Sequence, residues 1–242
     1  MLLFAALSGG WRKGLGASGR WRPVPVLSCA VLVASYQVLF FAGISLTGVA
    51  LGTISAIGSL PVWSGLSDLL FGKRPDARWL CATAVAVVGC ALLIGSGGSL
   101  SAEPLGVLLC VVAGGGLVAF TTIAKGMLKE RPHSVVMGVT FALGAVLLSP
   151  ALLFSDASWV LSPAGLAVAL ELELGATALA YVLFAGGLAR VCVSTAATLS
   201  PAEPLTAGLL GVLVLGERLS PVAAVGIALL VLGLLLATVG RE

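Results

Sequence analysis

The residue with the strongest claim to chemistry is Glu203. It stands between Pro201 and Pro204 in the stretch SPAEP, inside an otherwise apolar run from Thr198 to Ser220. A carboxylate in hydrocarbon costs about 2.5–3.5 kcal/mol on insertion scales, so an acid at that depth is functional by default. Proline lacks the N–H that would bond four residues back, and it frees carbonyls in the preceding turn. A helix broken at membrane depth exposes backbone polar groups to a cavity, which suits a binding site for a substrate or a proton. The alternative is a protonated carboxyl bonded to Ser, Thr or backbone within a bundle. Two further acids, Glu171 and Glu173, lie in VALELELGATALAY. Their spacing of two sends them to roughly opposite helix faces, so they are no paired acid site, and at most one can face a cavity. Asp68, close to Lys73 and Arg74, reads as a snorkelling, locally paired acid at a helix end. Tyr36 and Tyr181 are the only tyrosines, and their rings suit either packing or the lining of a cavity with hydroxyls.

Other chemistries find no support. The glycine run AGGGL at Ala113–Leu117 is followed by no Gly-Lys-Ser/Thr, so it is not a phosphate loop and direct ATP coupling falls away. There is no HExxH and no GxSxG, so a membrane-embedded enzyme is poorly supported. His133, the single histidine, has no Cys or His partner nearby, and no metal or other cofactor is called for. The five cysteines, Cys29, Cys81, Cys90, Cys110 and Cys192, all fall in apolar runs without CxxC spacing and read as small buried hydrophobes.

What must position these residues is a set of helices in lipid. The chain of 242 residues is 59% hydrophobic and 10% charged, with a mean hydropathy of +1.15. Soluble domains carry about 25% charge. The apolar runs are unbroken rather than alternating, which excludes a β-barrel and leaves a polytopic helical bundle. Runs long enough to span fall near Val24–Thr47, Val49–Phe71, Arg78–Ser96, Leu105–Ala124, Val135–Phe154, Ala164–Ala189, Val191–Leu215 and Pro221–Val239. Eight spans divide the thirteen basic residues 12 to 1: Arg12, Lys13, Arg20, Arg22, Lys73, Arg74, Arg78, Lys125, Lys129, Arg131, Arg190 and Arg241 on one side, Arg218 on the other. The rich side is cytoplasmic by the positive-inside rule, which places the chain in a cell (inner or plasma) membrane with a cytoplasmic C-terminus. Lys125 and Arg190 then read as orientation anchors. Partners are the lipid bilayer and a small-molecule substrate. The net charge of +3 does not imply nucleic acid, because the basic residues sit between apolar segments.

The chain also repeats. FAGISLTGVALGTISAIGSLP (Phe41–Pro61) lies over FAGGLARVCVSTAATLSPAEP (Phe184–Pro204) at a shift of 143 residues. FGKRPDARWLCATAVAVVGCALLIG lies over LGERLSPVAAVGIALLVLGLLLATVG with a slip of one. The eight-span layout gives the two blocks opposite orientation, and inverted repeats are a transporter signature, with the site where the halves meet. These stretches, YQVLFFAGISLTGVALGTISAIGSLPVWSGL and TLSPAEPLTAGLLGVLVLGERLS in particular, resemble the two halves of an EamA-type transporter of the drug/metabolite transporter superfamily. The resemblance implies ten helices as two five-helix inverted repeats, a small-metabolite or amphipathic substrate, alternating access and often export. It divides the chain into repeats at 1–98 and 104–240. Pro61 pairs with Pro204, so both helices are expected to break at matching depth, with Pro201 adding to the second break. The first half has Gly72-Lys73 where the second has Gly216-Glu217, and Leu60 where the second has Glu203. Met1 falls opposite Gly144, so roughly forty residues of the first repeat are missing. The expectation is eight full spans plus a helix remnant, from a misplaced start or a shortened chain. The alternative function is a truncated, non-transporting membrane protein or partner subunit, and a homodimer is compatible with the small-residue helix faces.

Overall fold

Leucine, alanine and valine dominate runs of about 20 residues, and in hydrocarbon such runs must close their backbone hydrogen bonds within themselves. A computed structural model describes residues 22–72, 77–95, 103–154, 158–213 and 220–238. Among them every regular element is helical and no strand occurs. The α-helices are α1 (Pro23–Thr47), α2 (Val49–Leu70), α3 (Ala77–Gly95), α4 (Pro104–Leu128) and α5 (His133–Leu148). They continue with α6 (Pro163–Glu171), α7 (Ala180–Leu188), α8 (Val193–Leu199), α9 (Ala202–Leu213) and α10 (Pro221–Thr238). Gly48 separates α1 from α2 in a positive-φ turn (φ 80°), a conformation that glycine adopts without strain.

Four of the described helical stretches are long and apolar enough to cross a membrane: Pro23–Thr47, Pro104–Leu128, His133–Ala151 and Pro163–Leu188. α1 and α10 are apolar on all sides, as expected of helices without a watery face. Large apolar side chains such as Val31, Phe41, Val146, Leu183 and Leu235 point outward. In water such a surface would aggregate; in lipid it is the surface required.

The expected run from Val135 to Phe154 is α-helical only to Leu148 and continues as a 3₁₀ turn over Ser149–Phe154, which holds Pro150. The run near Ala164–Ala189 is helical throughout but widens to a π-helix over Leu172–Leu179. The run near Val191–Leu215 is divided into α8 and α9.

Two compact units emerge. The first takes residues 1–35 and 119–191, the second 36–118 and 192–242, so each draws on both halves of the sequence. In the first, the α1 segment meets α4 and α5: the Cys29 thiol lies 3.9 Å from the Phe120 carbonyl, and Gly144 approaches Ala30 and Val33. In the second, the most extensive packing joins α3 to α10. A methyl group on Gly89 would stand 2.7 Å from Leu230 N and 2.8 Å from the Gly226 carbonyl, and one on Gly233 would stand 2.8 Å from Ala86 Cβ. Small residues let these helices touch backbone to backbone, and such contact carries helix association where lipid removes the hydrophobic incentive. Ala86, Cys90 and Leu230 form the buried centre, with Leu205 of α9 against it.

The expectation of five buried cysteines holds for Cys29, Cys90 and Cys110 and fails for Cys81 and Cys192, which are exposed. Ala82, Ala86 and Cys90 share the buried face of α3, and Cys81 is one residue off that stripe. Cys192 lies in the turn before α8.

Candidate functional site

In the second unit the α-helical hydrogen-bond ladder is interrupted at Ser200 and Pro201, although Ser200 keeps helical backbone angles (φ −55°, ψ −33°). Pro201 cannot donate to Ala197, and Pro204 cannot donate to Ser200. Three-residue bonds take their places: Ser200 N donates to the Ala197 carbonyl at 3.3 Å and Glu203 N to the Ser200 carbonyl at 3.0 Å. Hydroxyls turn back onto the same backbone, Ser200 to Ala196 at 3.2 Å and the buried Thr198 to Ser194 at 2.8 Å. α9 then starts afresh, with Pro204 in its first turn, where a missing N–H costs little.

Glu203 occupies that same first turn and is exposed. The partial positive charge of a helix N-terminus favours a carboxylate there by about 0.3–1 kcal/mol. The side chain comes close enough to Cys90 of α3 to interact with it electrostatically, and no hydrogen bond to its carboxylate is found among the described residues. The break therefore does two things. It creates a helix start inside an apolar run, and it sets an acid on that start.

Pro61 behaves differently. It is buried inside α2, which runs as continuous helix from Val49 to Leu70, so the expected matching break is not seen in this helix. The Ser64 hydroxyl donates to the Pro61 carbonyl at 2.9 Å, and Trp63 Nε1 donates to the Val111 carbonyl of α4 at the same distance. The helices carrying the two proline motifs pack on each other: Leu60 of α2 shares a buried cluster with Ala197 of α8 and Val118 of α4. Tyr36, in the same unit, is half-buried and stacks on Phe40, with ring centres 5.6 Å apart and planes 8° from parallel.

In the first unit, Glu171 ends α6 and Glu173 falls in the π-helix, and both are exposed. Only 6% of the apolar window in Pro163–Leu188 is buried within the protein. The Glu171 carboxylate lies over Gly175: a methyl group there would stand 2.9 Å from Glu171 Oε1. Further along, the half-buried Tyr181 meets Phe141 of α5 edge-on, with ring centres 4.5 Å apart, and Phe184 at 6.2 Å; Phe141 in turn meets Phe120 of α4. Asp68 is half-buried near the end of α2. The neighbours expected for it, Lys73 and Arg74, lie outside the described residues, as do Gly216 and Glu217.

One contact escaped the sequence reading. Lys125, near the end of α4, directs Nζ to the carbonyls of Leu188, at 3.1 Å, and Val191. The Leu188 carbonyl ends α7, where the helix dipole is negative, and Val191 lies in the turn beyond it. Arg190 Nη1 adds a bond to the Gly186 carbonyl at 3.0 Å. Lys125 is thus a strap from α4 to the turn after α7 as well as a charge at a helix end. A lysine at one apolar run's end and a Gly-Gly-Leu-Ala-Arg helix end in another were visible in sequence; their meeting was not.

A chain whose described residues form helices and no strand, several of the helices apolar and long enough to cross a membrane, is a multi-pass membrane protein. It belongs to the EamA-like transporter family, whose sequence model matches residues 104–239. It is 45% identical over 216 residues to an uncharacterized transporter of Bacillus subtilis, YwfM, covering 89% of this chain and 73% of that one. It is 29% identical over 207 residues to an uncharacterized transporter of Archaeoglobus fulgidus, covering 85% of this chain and 71% of that one. A solved crystal structure with 22% identity shares the fold at a TM-score of 0.80, covering 96% of this chain and 83% of the other. The chain is a membrane transporter, and its relatives' names speak for transport rather than enzymatic catalysis.

Proposed function

We infer that the protein is a secondary carrier that moves a small metabolite or amphipathic compound, outward, by alternating access, and that Glu203 binds the substrate or the coupling proton. The supporting observation is the helix start at Ser200–Pro201 with an exposed carboxylate in its first turn. An interrupted helix ladder, a helix N-terminus and a titratable acid meet there, features that suit a discontinuous helix at a transport site. The half-buried Tyr36 and Tyr181 and the exposed Glu171 and Glu173 are secondary candidates for lining the path. In this reading the two inverted repeats are residues 1–98 and 104–240, with eight full spans and an N-terminal remnant from a ten-helix parent fold. The basic loops and the C-terminus face the cytoplasm of a cell membrane.

The test starts with an efflux and resistance screen of the full chain against amino acids, nucleosides and dyes. Once a substrate is found, Glu203→Gln should lower its transport by at least about tenfold or abolish the pH dependence of transport, with membrane insertion and expression unchanged. Wild-type rates and pH profile in Glu203→Gln would sink the assignment.

A further inference from the structure

Thr83 of α3 carries a buried hydroxyl that the site around Glu203 does not use. The residue is only 8% exposed, and its Oγ1 has no hydrogen-bond partner among the described residues. Other threonines of this unit turn their hydroxyls onto the carbonyl four residues earlier: Thr47 to Gly43 at 3.0 Å, Thr198 to Ser194 at 2.8 Å and Thr206 to Ala202 at 2.7 Å. Thr83 does not make that bond. A buried hydroxyl left unpaired is costly, and each such group in a folded protein calls for an explanation.

Helix geometry gives its direction. Trp79 and Val87, one turn to either side, both reach α2. A methyl group on Gly65 would stand 2.7 Å from the Trp79 ring, and one on Gly58 would stand 3.7 Å from Val87 Cγ1. At about 100° per residue, Thr83 lies midway between Trp79 and Val87 in height and in angle. It therefore faces α2 between Gly58 and Gly65, at the turn of Pro61. Pro61 has no N–H to offer the Ile57 carbonyl. The stretch GSLP, Gly58–Pro61, joins a Gly-Ser pair to a proline, two of the recognised causes of a helix kink. Prolines are tolerated in membrane helices where a neighbouring Ser or Thr satisfies the carbonyls they free. Facing helices here hold both members of such a pair, a carbonyl robbed of its ladder donor and a hydroxyl without a partner, not bonded to each other while α2 runs as continuous helix.

We propose that α2 has a second, bent state, in which it kinks at Gly58–Pro61 and the Thr83 hydroxyl donates to a carbonyl of the opened turn, Ile57 or Gly58. Thr83 is then a positioning residue. It is unsatisfied when α2 is continuous and satisfied when α2 bends, which draws the two states together in free energy. The two-state helix stands on α2 and α3 alone; its use as a moving element of alternating access rests on the carrier reading above.

The experiment is hydrogen–deuterium exchange with mass spectrometry on the full chain in mild detergent, with melting temperatures alongside, and it needs no substrate. Thr83→Val keeps the shape and removes the hydroxyl. It should slow exchange of the amides just after Pro61, Val62 and Trp63, about tenfold and raise Tm by roughly 2 °C or more. Damage to the fold would do the opposite on both counts. Thr83→Ser keeps the hydroxyl and should match wild type. Pro61→Ala restores the N–H and should slow the same amides; in that background Thr83→Val should add less than about twofold. Faster exchange, a lower Tm or failure to fold in Thr83→Val would overturn the proposal, because the hydroxyl would then already support the continuous helix. Unchanged exchange would overturn it too, since α2 would have one state. Once a substrate is known, Thr83→Val should lower the maximal transport rate about tenfold with substrate affinity unchanged. Slowed exchange with wild-type transport would overturn the gating role alone and leave the Glu203 assignment to its own test.

Discussion

Gly89→Ala separates two opposing effects whose sizes come from the structure. Alanine is about 1 kcal/mol better than glycine in a helix interior, so on propensity alone the change should stabilise α3. Against that, the new methyl would stand 2.7 Å from Leu230 N, 2.8 Å from the Gly226 carbonyl and 3.0 Å from the Leu229 carbonyl carbon. All three are backbone atoms of α10, so no side chain can rotate away. The helices must part by several tenths of an ångström along the face where Ala86, Cys90 and Leu230 are fully buried. Overpacking of this kind costs about 1–3 kcal/mol. The expected balance is a net loss of up to about 2 kcal/mol, or a fall in Tm of up to roughly 8 °C for a chain of this size. Gly116→Ala is the control, since a methyl there meets nothing within 4 Å, and it should be neutral or stabilising by up to about 1 kcal/mol. The assay is the thermal loss of the monodisperse peak on size-exclusion chromatography of detergent-solubilised protein. Gly89→Ala melting at or above Gly116→Ala would refute the close backbone contact between α3 and α10.

Two further outcomes are expected. Lys125→Met keeps the stem but removes the charge-assisted bonds to the Leu188 and Val191 carbonyls; hydrogen bonds to charged groups contribute about 1.5–3 kcal/mol, and half-burial puts this loss near the lower end. In the same melting assay a value within 1 °C of wild type would show, at roughly that precision, that the strap is idle. Cys192, exposed beside Arg190, should react in intact cells with a membrane-permeant maleimide and, before lysis, not with an impermeant one, whereas Cys29, Cys90 and Cys110 should resist both in the folded protein. Impermeant labelling of Cys192 from outside would reverse the proposed orientation.

The sequence made the helices legible because lipid imposes a simple demand, about 20 apolar residues with internal hydrogen bonds. The run from Pro23 to Thr47, its end at Gly48 and the next start at Val49 could all be read from apolar length and one glycine. The break near Pro201 was legible for a similar reason: proline removes a donor whatever surrounds it. What was hidden is what depends on meeting partners. Lys125 reads as an orientation charge until the end of α7 is brought against it. Arg22 and Arg131, which line one cavity, are more than a hundred positions apart in sequence. The π-helical widening at Leu172–Leu179 leaves no mark in composition, since LELGATAL has the content of an ordinary helix.

The prolines show why a repeat can mislead about cause. At the 143-residue shift Pro61 matches Pro204, which suggests one shared break. Yet α2 continues through Pro61, and the discontinuity in the second repeat begins three residues before Pro204, at Pro201. The residue of the first repeat that matches Pro201 is Gly58, which keeps its N–H. A helix loses one ladder bond to a single proline and can bend around the gap. Two prolines three apart strip donors from successive carbonyls, at Ala197 and Ser200, and each is then taken up by a three-residue bond. Those bonds tighten the backbone and end α8, and α9 begins at Ala202. The second repeat therefore differs from the first in a matched pair: Pro201, which makes the new helix start, and Glu203, which occupies it. An acid placed at Leu60 in the unbroken α2 would gain nothing from a helix N-terminus. In the proposed reading Glu203 owes its place in the first turn of a helix to Pro201, two residues before it.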